Sequence, residues 1–302
     1  MSLSVAVVVV SFNTCDAVRA CLASYLPQLG ESDQLVVVDN QSTDGTHEML
    51  HREFPQVRLI VSPRNAGFSY ACNVGYRATT APLVLFSNGD IRAPADFLEN
   101  IRRKMGAHPG VGILSPELLS EEGKLIQMSW GWNLSFLGEF RAQFLSPKNV
   151  VSSSLISVIV RFLQRRERHV PIVAGACMLL SREMLDKVGG MDENFELYFE
   201  DADLCARCWK SGYQVLFTPN VHVFHGLGQS SRSIRTKIDL IYRQSQIYYY
   251  RKHNSRLELA LLKIYLAVKF FVIRRCWRDP VFFRWLKDIL LERRRLRLVD
   301  PL

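Results

Sequence analysis

The sequence predicts an α/β protein with a mostly parallel central sheet, followed by a helical C-terminal extension. Three observations carry that expectation. Continuous apolar runs alternate with segments of helical spacing over the first ninety or so residues. Such runs mark strands buried on both faces, and their alternation with helices implies βαβ units. The ends of those strands are polar. The charge is also uneven: residues 232–302 hold 18 Lys/Arg against 6 Asp/Glu, a net of +12, while the whole 302-residue chain is at +9. A near-neutral body, residues 1–231, therefore precedes a basic tail, residues 232–302, that suits an anionic surface.

The elements follow in order. VAVVVVSFN, Val5 to Asn13, reads as the first buried strand, and DAVRACLASYLPQL has helical spacing through Val18, Leu22, Tyr25 and Leu26. QLVVVDN is a second strand, and the helix after it starts near Thr43 or Asp44, both suitable caps. VRLIVS is a short third strand, GFSYACNVGYRAT a helix, and PLVLFS a fourth strand that opens into Asn88, Gly89 and Asp90. Residues 115–170 show no regular pattern. Beyond them, PIVAGACMLL reads as a strand, REMLDKVGG as a helix with a Gly-Gly stop, FEDADLCARCWKSGY as a helix opening on acids, and YQVLFTPNVHVFHG as a strand pair.

Several classes are disfavoured. There is no P-loop, and no GxGxxG follows the first strand, which weighs against an ordinary dinucleotide-binding domain. The seven cysteines are scattered, and Cys205 and Cys208 form a CxxC without a second pair to complete a zinc site, so these two read as core or helix-face residues in a reducing cytoplasm. The apolar run at the start lacks a basic flank and is too short for a signal peptide or a membrane span. A nucleic-acid partner fits the tail but not the acidic strand ends, which repel phosphate.

Ligands of open α/β sheets bind beyond the carboxyl ends of the strands, and three such ends are polar: Ser11 to Asn13, Asp39-Asn40 and Asn88 to Asp90. A sugar-nucleotide transferase needs a base-binding groove, a cation on the diphosphate and a carboxylate base. Asp39 is placed to accept a nucleobase N–H. Arg64 and Asn65 precede a helix start, where phosphate is favoured. Asp90 is a candidate oxygen ligand for Mg²⁺ or Mn²⁺. Asp201 is a candidate base, and His225 a candidate member of the metal shell, with His222 competing for that place.

Together VVVVSFN, VVVDNQSTDGT, SPRNAGFSYACNVG, FSNGD, VGGMDENFELYFEDADLCARCWKSGY and HGLGQS resemble the family 2 glycosyltransferases of the GT-A fold, most closely their rhamnosyltransferase-like branch, over about Val5 to Ser231. The resemblance implies an inverting, metal-dependent transfer from a nucleotide-diphosphate sugar, dTDP-rhamnose or a UDP-sugar, to a glycan or lipid-linked acceptor in cell-surface polysaccharide synthesis. It gives Asp201 the role of general base and Asp90 and His225 that of metal or diphosphate ligands. Ser11, Asn13, Asp39, Arg64, Asn65, Gly67, Asn73 and Asn88 fall on the donor side, and Glu200, Gly175 and Trp130 on the acceptor side. Two positions depart from the family's metal motif: Asn88 replaces a charged ligand, and Gly89 stands where proline is usual, which predicts a looser loop. These departures leave a second reading open, a non-catalytic sugar-nucleotide or glycan-binding relative.

Plainer readings accompany the candidates. Glu200 either faces the acceptor or only orients Asp201, Asp203 has Arg207 one turn later, and Trp130 and Trp132 either stack on a sugar or fill a core. In the tail, Phe282, Trp285, Leu286 and Ile289 carry arginines at their flank. Arg256, just before LELALLKIYLAVKFFVIRRCW, shares a stripe with Lys263 and Arg274 within it. Both patterns predict helices lying in a membrane interface at the inner face of the cell membrane, without spanning it. Packing on the body or on a second copy of the chain is the alternative.

Overall fold

Val5–Ser11 (β1) shows why the sheet is covered on both faces. Val5, Val7 and Val9 enter one hydrophobic core and Val8 another, all fully buried, because successive residues of a strand face opposite sides. The computed structural model describes residues 3–124, 129–135, 138, 154–226, 235–273, 279–293 and 295–298.

β1 pairs in parallel with Gln34–Asp39 (β2) and Leu83–Asn88 (β4), and β2 pairs with Arg58–Val61 (β3). The connecting helices are Cys15–Tyr25 (α1), Thr46–Glu53 (α2) and Phe68–Arg77 (α3). Ile91–Arg92 (β5) and Phe97–Gly106 (α4) follow. Val18 and Leu22 of α1, Leu50 of α2 and Ile101 of α4 cover one face. The other face is covered by Ala71 and Cys72 of α3, with Arg182–Val188 (α6) and Glu200–Lys210 (α7).

The second half departs from the parallel expectation. Cys177–Ser181 (β10) runs antiparallel both to β4 and to Val111–Leu119 (β6). Among the described residues the sheet is nine-stranded, in the order β3-β2-β1-β4-β10-β6, then Gln214–His225 (β11) and β5, with Arg168–His169 (β8) beside β11. An apolar run reveals burial but not direction, so the mixed sheet was not legible. The segment PIVAGACMLL is two strands: Ile172–Val173 (β9) pairs with Trp130–Gly131 (β7), and the chain breaks at Gly175 before β10. YQVLFTPNVHVFH, expected as a strand pair, is the single strand β11. Its Pro219-Asn220 turn signal is a register shift between Thr218 and His222. Ser154–Gln164 (α5) is a helix in the stretch that showed no pattern.

Arg235–His253 (α8), Arg256–Ala267 (α9) and Pro280–Leu290 (α10) build a third core with Phe195, Phe199 and Ala202 of the body. The interfacial expectation for α10 is therefore corrected: Phe282, Leu286 and Ile289 are buried, because α10 packs on α8. Lys263 pairs with Glu292 at 2.6 Å, and Arg274 lies outside the described residues. So does the start of the tail at residues 227–234, with HGLGQS beyond Gly226. No described helix is long and apolar enough to cross a membrane. Cys205 and Cys208 are buried core residues, not a metal pair.

Candidate active site

The polar end of β4 is held in place by its neighbours. Asn88 N–H donates to Ala176 O at 2.9 Å, and Gly89 N–H to Val10 O at 2.9 Å. A Cβ on Gly89 would stand 2.8 Å from Val18 Cγ2 and 3.0 Å from Val10 O. Glycine is thus required by close approach, and the expected loosening is corrected, since the loop is pinned at this residue. Gly226 N–H then donates to Asp90 O at 3.1 Å, which brings the end of β11 alongside. Asp90 Oδ1 lies 3.3 Å from His225 Nε2, with the two side chains 10 % and 8 % exposed. His222, the competitor, is instead edge-on to Phe224.

This pair fits a divalent ion. Mg²⁺ takes one or two protein groups plus substrate phosphates, and donors bonded at about 2.1 Å in octahedral geometry stand about 3 Å apart. The carboxylate oxygen suits Mg²⁺ or Mn²⁺. Among the described residues no group of three or more His, Cys, Asp or Glu side chains could hold a metal, so the remaining ligands would come from donor and water. His225 Nδ1 is buried with no hydrogen-bond partner.

Asp201 sits in the first turn of α7. Its Oδ2 accepts from Gly175 N–H at 2.9 Å and its Oδ1 from Ala202 N–H at 2.7 Å. Gly175 adjoins Ala176, so Asp201 is two backbone residues and two hydrogen bonds from Asn88. Glu200 is buried, and its Oε2 has no partner. Burial first, and then the Asp201 charge, push the Glu200 carboxyl up to about 8. Burial also raises Asp201, against the two amides that favour its ionised form. The turn into α7 is strained: Tyr198 and Phe199 have φ of 66° and 68°, a left-handed conformation that costs an L-residue about 1–2 kcal/mol. Asp203 is a structural anchor. It is fully buried against Arg207 at 2.7 Å, Lys252 at 2.6 Å and His253 at 2.7 Å.

On the donor side, buried polar atoms without partners gather at the ends of β1 to β3 and in the first turn of α3: Ser11 Oγ, Asn40 Oδ1, Ser62 Oγ and Ser69 Oγ. Unsatisfied buried groups are uncommon and point to a ligand. Asn40 belongs to the polar end Asp39-Asn40 noted in the sequence, whereas Ser62 and Ser69 were not singled out although both lie in SPRNAGFSYACNVG. Asp39 is wholly buried, and its carboxylate already accepts from Ser42 N–H at 2.7 Å, Ser42 Oγ at 2.6 Å and His47 Nε2 at 2.6 Å. A nucleobase would have to share those lone pairs. Asn13, at φ 51°, accepts from Thr43 N–H at 2.7 Å. Arg64 is exposed and Asn65 half-buried beside a cavity of about 130 Å³, whose far wall is Arg295 and Arg297 from the tail.

Two expectations, for Asn73 and Trp130, meet competing contacts, and Gly67 has a structural role of its own. Asn73 is buried, and its amide is consumed by Met191 N–H and O at 2.8 and 2.9 Å and by Glu193 at 2.8 Å, so it ties α3 to a loop and does not line the donor groove. Gly67 serves the same loop, because a Cβ there would stand 2.3 Å from Glu196 O. Trp130 is 5 % exposed, edge-on to Trp132 and beneath Arg168, so its ring fills a core and is not an open acceptor platform.

The polar ends of β1 to β4, the Asp90–His225 pair and the amide-held Asp201 converge at one edge of a mixed sheet, in the manner of a GT-A glycosyltransferase. The family model described as glycosyl transferase family 2 matches residues 6–189, and one described as the N-terminal domain of galactosyltransferase matches residues 160–226. The chain belongs to family 2 of the glycosyltransferases, and it transfers a sugar from a nucleotide donor. It resembles the family's rhamnosyltransferases. N-acetylglucosaminyl-diphospho-decaprenol L-rhamnosyltransferase of Mycobacterium tuberculosis is 26 % identical over 238 residues, covering 74 % of this chain and 76 % of the relative. dTDP-rhamnosyl transferase RfbF of Shigella flexneri is 23 % identical over 241 residues, covering 79 % and 75 %. Among solved structures, the Pyrobaculum calidifontis mannosyltransferase PcManGT, in complex with GDP-Man and Mn²⁺, aligns at TM-score 0.54 and 17 % identity over 97 % of this chain and 87 % of its own. Residues 1–349 of Staphylococcus aureus TarS align at 0.56 and 13 % identity over 96 % and 81 %. These last two likenesses establish the fold.

Proposed function

We propose that the protein is an inverting, metal-dependent transferase that moves a sugar, rhamnose from dTDP-rhamnose or a sugar from a UDP donor, onto a lipid-linked saccharide. The product feeds a cell-surface polysaccharide. One observation carries the reading. A single path of contacts, Asp90 to Asn88 in sequence, Asn88 to Ala176 by hydrogen bond and Gly175 to Asp201 by another, links the Asp90–His225 pair to a buried carboxylate that accepts from two backbone amides, which supports a metal-type pair and a base in one site. The rhamnosyl relatives' names support the donor, and the decaprenol relative's name supports the acceptor.

In this reading ionised Asp201 takes the proton of the acceptor hydroxyl. The acceptor oxygen bonds to the anomeric carbon as that carbon's bond to the diphosphate oxygen breaks on the opposite face. The electron pair leaves with the nucleoside diphosphate, and the configuration inverts. Glu200, protonated at neutral pH, spares the site a second adjacent charge. Asp90 and His225 would hold Mg²⁺ or Mn²⁺, which when bound neutralises charge on the departing diphosphate. The polar ends of β1 and β2 would receive the nucleoside.

The protein would work peripherally on the inner face of the membrane. Leu257, Leu261, Ile264 and Val268 of α9 and its continuation are 69, 36, 61 and 47 % exposed. Their spacing puts them on one stripe, within a tail of net +12 that anionic lipid attracts.

The test is donor hydrolysis and transfer with dTDP-rhamnose and a panel of UDP-sugars, with and without Mn²⁺. Turnover that requires Mn²⁺ and is lost in Asp90→Ala is expected. Near-normal turnover of Asp90→Ala in Mn²⁺ overturns the metal assignment. Donor binding with no hydrolysis or transfer across the panel would establish the non-catalytic reading instead.

A further inference from the structure

The loop that delivers Glu200 and Asp201 is gripped by one face of α8. Tyr242 sets its ring 5.3 Å from that of Tyr198 and 5.1 Å from that of Phe199. One turn on, Ser245 Oγ donates to Leu197 O at 2.9 Å. Tyr249 lies 5.8 Å from Phe199, and Lys252 and His253 close on Asp203 at 2.6 and 2.7 Å. Positions 242, 245, 249 and 252 recur at helical spacing, so a single stripe meets the loop on both sides of the carboxylate pair.

The two residues under Tyr242 are those with φ of 66° and 68°. Bulky L-residues adopt this conformation when the surroundings over-determine it, and such strain clusters at functional sites. The left-handed pair decides how the chain enters α7. It thereby sets the direction in which Asp201 meets the Gly175 amide. Asp203, one turn beyond Phe199, is already fixed by Arg207, Lys252 and His253. The end of the loop that enters α7 through the left-handed pair is the one that Tyr242 covers.

We propose that Tyr242 is the positioning residue of the active site: its ring holds Tyr198 and Phe199 in the left-handed conformation and so aims Asp201 at the acceptor. The tail is then part of the catalytic apparatus as well as an attachment. The proposal rests on Asp201 acting as the base.

The experiment uses the full chain with the donor that turns over in the panel above. Tyr242→Ala should lower kcat at least tenfold, leave the affinity for the free nucleoside diphosphate unchanged, and displace the acid limb of the pH–rate profile. Tyr242→Phe, which keeps the ring, should restore kcat to within about threefold of the parent and return the acid limb. If Tyr242→Ala does not accumulate, Tyr242→Leu, which keeps apolar bulk without the flat ring, takes its place with the same expectation. The proposal is overturned by a kcat near the parent's, by a joint loss of turnover and nucleotide binding, or by Tyr242→Phe proving as damaged as Tyr242→Ala. Asp201→Asn, assayed in parallel, separates the two readings. If it turns over normally, the base assignment falls and this proposal with it. If it is inactive while Tyr242→Ala is fully active, this proposal alone falls.

Discussion

The Gly175 amide donates to Asp201 Oδ2 over 2.9 Å, and a Cβ placed on Gly175 would stand 3.1 Å from the Asp201 Cβ. That is too close for ordinary contact, so one of the two must shift by a few tenths of an ångström. Gly175→Ala is therefore expected to move the base while leaving the fold intact. Displacements of this kind lower kcat by roughly tenfold. A crystal structure of the variant with Asp201 undisplaced and kcat unchanged would remove Gly175 from the site.

The pH dependence follows from the carboxylate pair. Activity should rise with pH through an acid limb that lies above the ordinary aspartate range, because burial raises Asp201 and the base must be ionised. Stability should move the other way. Between the usual 4.5 and about 8, Glu200 keeps its proton in the folded protein and has lost it in the unfolded chain. The unfolded state then binds fewer protons, and stability falls as pH rises through that window. Glu200→Gln should accordingly melt higher than the parent at pH 8 and show a flatter dependence of Tm on pH. Equal melting temperatures at pH 8 would show that Glu200 is not carrying the strain.

Asn73→Ala separates a structural amide from a donor ligand. Three hydrogen bonds to Met191 and Glu193 would be lost, and the two buried Met191 backbone groups left unsatisfied cost about 1–3 kcal/mol each. We expect a clear fall in Tm with nucleotide affinity retained. Calorimetry that found weakened nucleotide binding at unchanged Tm would return Asn73 to the donor groove.

Liposome sedimentation tests the exposed stripe of α9. The parent should bind vesicles containing anionic phospholipid and be released by high salt, and Leu257→Asp with Ile264→Asp should abolish binding without lowering Tm, since both residues are exposed. Retained binding in the double variant would move the attachment elsewhere. Truncation after His253 is a poor probe of the attachment. It would strip the cover from Leu240, Ile241 and Tyr250, all buried in the third core.

Much of the site could be read from the linear chain because it is built from strand ends. Val5–Ser11, Gln34–Asp39 and Leu83–Asn88 are continuous apolar runs that stop at polar residues, and in a parallel half-sheet those stops fall along one edge. Asn73 and Trp130 misled for the same reason as each other. Their motif positions say that a polar or aromatic side chain is present but not what it touches. The former is consumed by Met191 and Glu193, and the latter lies beneath Arg168. The β10 direction and the unbroken β11 were hidden because periodicity carries no sign and Pro219-Asn220 looks like a turn.

The sequence alone determined the class of fold, the family and the identity of the chemical groups, because short-range pattern and motif order are properties of neighbours in the chain. The tertiary structure alone decided which of those groups meet. His225 reaches Asp90 across 135 positions in the numbering. Gly175 finds Asp201 from a break between two strands, and α8 comes from the basic tail to hold the loop in front of the base. Contacts of that kind depend on the packing of whole elements, and packing is settled only when the chain closes on itself.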